Sequence, residues 1–238
     1  MKNTIIVFII FSLNFVFPQQ KNIYIEYSVK IYDEERLNGI DPEFRKMFVE
    51  AMTEAEKMSF GLIITNSSSK FFDNAKMATS DNEYFKSSST SFAGYTGEVF
   101  QYLNNLYKNS SSLAKNMMVK EPLKSNWILH NETKLIDNYL CYKATNVNVV
   151  DNRSGKIFNH PVIAWYCPKL PYNYGPNGYS NLPGLILELQ VRNVVFGAKK
   201  IDLNSELNFD TTFLKTVKTI TLSELNDKLH KQADSWRE

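Results

Sequence analysis

"GPNGYSNLPGLILEL", Gly175 to Leu189, places glycine and proline turns directly before a leucine-rich run. Proline fixes φ and has no N–H to leave unpaired, whereas glycine opens conformations with positive φ. Leu185, Leu187, Leu189 and Val191 then fall on one face, with Glu188, Gln190 and Arg192 on the other. Period two of this kind is a half-buried strand. A slip of one residue would bury Glu188 and Arg192, so the Pro183-Gly184 pair serves to start the strand in a fixed register.

Five of the chain's eight prolines precede that strand closely: Pro161, Pro168, Pro171, Pro176 and Pro183. Disordered proline-rich linkers lack apolar and aromatic residues. This segment carries Trp165, Tyr166, Tyr172, Tyr174 and Tyr179, which predicts a packed, ordered loop. Two readings of these aromatics stand side by side. They line an apolar cleft as ligand-binding residues, or they fill the end of a curved sheet.

Working outward, "NIYIEYSVKIYD" alternates strictly, with Ile23, Ile25, Tyr27, Val29 and Ile31 on one face of a strand. A helix is expected at 41–58, capped by Asp41 with Pro42 at its first position. Phe44, Met47, Phe48, Ala51, Met52, Ala55 and Met58 form its apolar stripe, read as core or as an adaptable methionine-rich ligand wall. "FGLIIT" is a further strand, and the Ser- and Asn-rich residues 66–98 read as loops or short edge strands. From Val99 the strand pattern returns through "VFQYLNNLYKN", "SLAKNMMVK", "NWILHNE", "LCYKATNVNVV", "PVIAWYC" and "LILELQVRNVVFGAKKIDL". Short turns and no intervening helices predict an antiparallel sheet. Thr221 and Glu224 have capping-box spacing at a C-terminal helix whose Leu222, Leu225, Leu229, Ala233 and Trp236 share one face. The expected fold class is α+β: a strongly curved, mainly antiparallel sheet with one long helix packed on it and a C-terminal helix.

The motifs together resemble the GLPGLI family of exported Bacteroidota proteins. Its naming hexapeptide stands here as Asn181, Leu182, Pro183, Gly184, Leu185 and Ile186, and the resemblance extends to Cys141, Lys143, Ala144, Ala164, Trp165, Pro168, Pro171, Gly175 and Pro176. Asn181 replaces the first glycine, and asparagine is the residue that best tolerates the left-handed conformation. The resemblance implies an envelope location and, by fold analogy, a curved sheet like that of lipoprotein carriers. It brings no catalytic residue and no cofactor.

The first residues agree with export. Lys2 precedes an apolar stretch from Ile5 to Phe17, the pattern of a secretory signal peptide. Residues 1–19 are read as that segment and 20–238 as a single domain, with no transmembrane span after cleavage. The 238 residues are 43% hydrophobic with a formal charge of +2, and basic residues are dispersed, so nucleic acid is not an expected partner.

Two cysteines in an exported chain raise a disulfide. A hairpin about Asp151 to Gly155 makes paired positions sum to 307 or 308, setting Cys141 against Tyr166 or Cys167; a Cys141–Cys167 bond and two buried free thiols both remain open. His130, His160 and His230 stand apart in sequence, without metal-ligand spacing, and no nucleophile or phosphate motif occurs. No metal and no cofactor are expected. The function expected is a non-catalytic binding or accessory protein, in the periplasm or at the outer-membrane periphery, for an apolar small molecule or an outer-membrane protein. The alternative is a hydrolase-type enzyme whose groups meet only in the fold, with His130 or His160 beside a carboxylate.

Overall fold

The structure, a computed structural model, describes residues 21–32, 39–74, 89–109, 117–151 and 156–234. The signal-like segment 1–19 and Trp236 lie outside the described residues. The elements run β1 (Asn22–Ile31), α1 (Pro42–Glu56), β2 (Ser59–Ile64), β3 (Ser68–Asp73), β4 (Val99–Tyr102), β5 (Asn105–Lys108), β6 (Met117–Pro122) and β7 (Ile128–Ile136). They continue as β8 (Tyr139–Asp151), β9 (Ile157–Cys167), β10 (Leu185–Val191), β11 (Val194–Ser205), β12 (Lys218–Ile220) and α2 (Leu222–Asp234).

All twelve strands form one sheet in the order β12-β6-β5-β4-β3-β2-β1-β11-β10-β9-β8-β7. Each neighbouring pair is antiparallel except β12 with β6, which is parallel. The expected α+β class is therefore corrected: the molecule is mainly β, 51% strand and 20% helical, with one large mixed sheet that does not close. The sheet does curl. β6 and β8 stand nine strand spacings apart, roughly 43 Å in a flat sheet, yet Val119 and Glu121 of β6 line the same cavity as Asn146 to Val150 of β8.

Aromatics of the sheet fill the interior, where Phe60 stacks on Phe71 at 5.5 Å and meets Phe196 edge-on at 5.5 Å, and Tyr95, from the segment before β4, closes on Phe60 at 5.0 Å. α1 packs on the sheet through the C-terminal part of its stripe, with Ala55 in the main core and Met52 and Met58 packed against it. Asp41 Oδ1 accepts from the Glu43 N–H at 2.9 Å and Pro42 begins the helix, as the sequence predicts. But the stripe buries only Ala51 and Ala55 among its described residues, and Phe44 is 59% exposed. α2 has its capping box, with Glu224 N–H donating to Thr221 Oγ1 and Thr221 N–H to Glu224 Oε2. Leu225 is buried there against Val119 and Ile220.

Other strands follow the sequence closely. β1 buries Ile23, Ile25, Tyr27, Val29 and Ile31, the predicted face. The read of 66–98 as loops or edge strands is corrected at β3, which lies inside the sheet between β2 and β4. Its serines are tolerated because their hydroxyls find partners close by: Thr65 Oγ1 and Ser68 Oγ are 2.6 Å apart. The "LILELQVRNVVFGAKKIDL" stretch is a hairpin, with Arg192 in the left-handed region (φ 58°) at its turn.

The opening stretch forms a loop folded back on β10. Leu185 N–H donates to Leu170 O (2.9 Å) and Ile186 N–H to Tyr174 O (3.0 Å), while Tyr27 Oη donates to Ile186 O (2.7 Å). Asn181 adopts φ 66°, the left-handed conformation for which it substitutes glycine. Gly184 is irreplaceable: its φ is +152°, and a Cβ there would sit 2.2 Å from the Cys167 carbonyl oxygen. Gly184→Ala should therefore lower unfolding free energy by more than about 3 kcal/mol, or prevent folding. Gly94→Ala, also at positive φ (+65°) but in open space, should lower it by about 1 kcal/mol. Urea denaturation of the two variants checks this, and equal effects would contradict it.

Candidate functional site

Three cavities share walls on the inner side of the curled sheet. The first, about 710 Å³, lies between β6, β8 and α2. A second, about 260 Å³, shares Thr96, Lys108, Lys124 and Asn148 with it and reaches Tyr179 and Phe196. The third, about 440 Å³, shares Gly94, Val191 and Val194 with the second and ends at Met52, Phe92 and His160. Together they make a trough whose first and third cavities each fall within the size range of ligand sites, about 300–1,000 Å³, with the smaller second cavity joining them.

The trough is polar at one end and apolar at the other. At the polar end, Lys124 Nζ donates to Asn148 Oδ1 (3.0 Å) and Tyr179 Oη (3.2 Å), and it sits 4.2 Å from the centre of the Tyr179 ring. Lys108 beside it is paired with Glu121 at 2.8 Å. No ion pair of Lys124 occurs among the described residues, and both its hydrogen-bond partners are neutral. Burial, with Lys108 repulsion adding to it and Glu121 opposing, pulls the Lys124 ammonium down to about 8. Burial also raises the Tyr179 phenol, with Glu121 acting in the same direction. Asn181 Nδ2 donates to Lys124 O (3.2 Å), and Trp127 Nε1 to Ser180 O (2.8 Å). The loop thus grips the 123–127 segment that carries Lys124.

The sequence-predicted aromatics divide between core and trough. Tyr166, Tyr174 and Tyr179 are buried in the main core cluster, and Trp165 and Tyr172 pack against it half-buried. Tyr179 also lines the 260 Å³ cavity. Trp165 carries Lys134 Nζ 4.5 Å from its ring centre, and Lys134 pairs with Glu188 at 2.6 Å. Pro176 and Leu182 are buried, and Leu185 and Ile186 are fully so, while Gly175 packs on Ile186, where a Cβ would come within 2.7 Å. Pro168, Pro171 and Pro183 shape turns whose neighbours Leu170 and Leu182 are buried. Met52, from the predicted methionine stripe, lines the 440 Å³ cavity.

Lys108, Lys124 and Asn148 escaped sequence reasoning. Lys124 is one of 27 basic residues in a polar stretch, and its environment is made by residues 24 and 55 positions away. The histidines sit apart. His130 Nε2 and Thr145 Oγ1 are 2.8 Å apart, and His160 stacks on Phe158. No group of three or more potential metal-ligating side chains occurs among the described residues.

A family model described as a protein of unknown function (Porph_ging) matches residues 157–188, that is, β9, the proline-rich loop and the start of β10. That family is associated with Bacteroidetes. No curated protein matches the chain. Among solved structures it is similar to PNGF-II in its P21 crystal form, with a TM-score of 0.52 at 14% identity over 87% of this chain and 32% of that one. The C2 form of PNGF-II gives a TM-score of 0.50 at the same identity and coverage. The chain thus spans about a third of the length of these structures, and the likeness is one of fold. No helix among the described residues is long and apolar enough to cross a membrane.

The β8–β9 register settles the pairing arithmetic at a sum of 308: Tyr142 opposes Tyr166 and Lys143 opposes Trp165. One position further along, Cys141 faces Cys167, and both are buried free thiols. Burial first, and the facing Cys167 second, push the Cys141 thiol up to about 12. A neutral thiol is a poor nucleophile. Iodoacetamide at pH 8 should therefore label neither cysteine in the native protein and both in urea without reductant. Absence of label in urea, with a mass lower by about two hydrogens, would show a disulfide instead.

Proposed function

We propose that this chain is an exported cell-envelope protein of the GLPGLI family, at the periplasm or outer-membrane periphery, that binds an apolar ligand in the trough without catalysing its conversion. The trough itself carries the reading: a series of cavities walled by Met52, Phe92, Val191, Val194 and Phe196, reaching the surface between β6 and β8. The signal-like start, the hexapeptide and the match over residues 157–188 support the envelope assignment. Tyr179 is the member of the aromatic loop placed to touch such a ligand; Trp165, Tyr166, Tyr172 and Tyr174 act by holding the loop that carries it.

An outer-membrane protein partner is a second reading, favoured by one observation. Near the trough's mouth, Val147 and Val149 are 54% and 61% exposed, and Ile157 on the neighbouring strand is 63% exposed. Such apolar surface suits a hand-over contact. For the hydrolase alternative, His130 has a hydroxyl rather than a carboxylate against its Nε2.

A neutral apolar fluorophore, N-phenyl-1-naphthylamine, should bind saturably. Val194→Phe, placed where two cavities meet, should weaken binding at least about tenfold, while Val194→Ala retains it. Circular dichroism on each variant verifies the fold. Absence of saturable binding, or equal binding by both variants, would overturn the reading.

A further inference from the structure

The apolar ligand carries no information about its head group, but the polar end of the trough does. Lys124 is a half-buried ammonium whose hydrogen bonds go to an amide oxygen and a phenol, with no carboxylate of its own among the described residues. A buried charge lacking a counter-charge is costly, and a ligand that supplies one is bound strongly by a charge-assisted hydrogen bond. The surroundings are arranged for that. Lys108 is neutralised by Glu121, so the local balance of the three groups is one uncompensated positive charge. Asn148 presents an amide and Tyr179 a phenol, and a phenol held neutral by burial can turn its O–H toward an incoming oxygen. From Lys124 the cavity wall passes over Val99 and Phe196 to Val194, where the apolar 440 Å³ cavity begins.

The geometry points to a ligand of one class: a long-chain amphiphile with an anionic oxygen head, such as a carboxylate, its head on Lys124, Asn148 and Tyr179 and its tail directed to Val194, Phe92 and Met52. This rests on the trough being the binding site and adds the charge of the ligand. A free fatty acid and a larger lipid with an anionic head share this chemistry.

The groups facing Lys124 fix the pH behaviour. They are Lys108 from β5, Glu121 from β6, Asn148 from β8 and Tyr179 from the loop. Burial and Lys108 hold the ammonium down to about 8, so a bound carboxylate raises it again and the complex takes up a proton near pH 8.5. Above that pH the charge is lost and binding weakens.

Isothermal titration of the full mature chain with dodecanoate, dodecanol and dodecyltrimethylammonium tests this. The expected order places dodecanoate first, by about tenfold over the alcohol, and the cation last. At pH 8.5 the dodecanoate enthalpy should depend on buffer ionisation enthalpy, revealing proton uptake. Lys124→Met should abolish both the preference and the proton uptake, lowering dodecanoate affinity about tenfold to the level of dodecanol; Lys124→Arg should keep the preference. Equal affinities for all three probes, or a preference that survives Lys124→Met, would overturn the head-group assignment and leave the apolar trough standing. Binding of none of them would overturn both. A competition in which a phosphatidylglycerol vesicle, and not dodecanoate, displaces the fluorophore would assign the head to a lipid and reject the single-chain carboxylate.

Discussion

The contact between Gly184 and the Cys167 carbonyl holds the rest of the structure in place. It lets the end of β9 and the start of β10 approach closer than any side chain would allow, at 2.2 Å from where a Cβ would sit. With the strands drawn together, the 168–184 loop folds onto β10 through the Leu170 and Tyr174 carbonyls. Tyr27 then ties β10 to β1, a strand on the far side of β11. Everything the loop carries follows: Tyr179 over the 260 Å³ cavity, Asn181 on Lys124 O, and Ser180 O on Trp127. A backbone constraint at one glycine is thus transmitted to the polar end of the trough by hydrogen bonds.

Much of this was legible locally. Strict alternation located the buried face of β1, Thr221 and Glu224 announced a capping box, and turn chemistry predicted both the ordered loop and the left-handed Asn181. Hairpin arithmetic narrowed the β8–β9 register to sums of 307 or 308, because a two-stranded ladder is a local object, and the fold takes 308. What failed was global. The stripe from Phe44 to Met58 looks like core along its whole length, but only its part from Ala51 to Met58 meets the core, and how much of a helix a sheet covers depends on how twelve strands curl. A serine-rich β3 in mid-sheet was hidden for a related reason, since its hydroxyls are satisfied only once Thr65 is beside them.

The site was less legible than the fold. Aromatic residues beside prolines suggested a ligand cleft, and the structure spends most of them on holding the loop, with Trp165 and Tyr172 half-buried and Tyr166 and Tyr174 in the core. The groups with chemical potential are a lysine, an asparagine and a tyrosine drawn from separate segments, and no periodicity or spacing marks them. What distinguishes Lys124 from the similarly half-buried Lys70, Lys108 and Lys134 is that those three pair with carboxylates whereas its partners are an amide and a phenol, and partnering is a property of the folded whole.

We propose that the trough of this open, curled sheet is a ligand site rather than a packing defect. Native mass spectrometry of the protein purified without detergent from the cells that make it tests this most directly, with the denatured mass of the same sample as reference. A stoichiometric non-covalent adduct, lost on denaturation, is expected. A bare protein at the denatured mass, from cells in which the chain is folded and abundant, would contradict it.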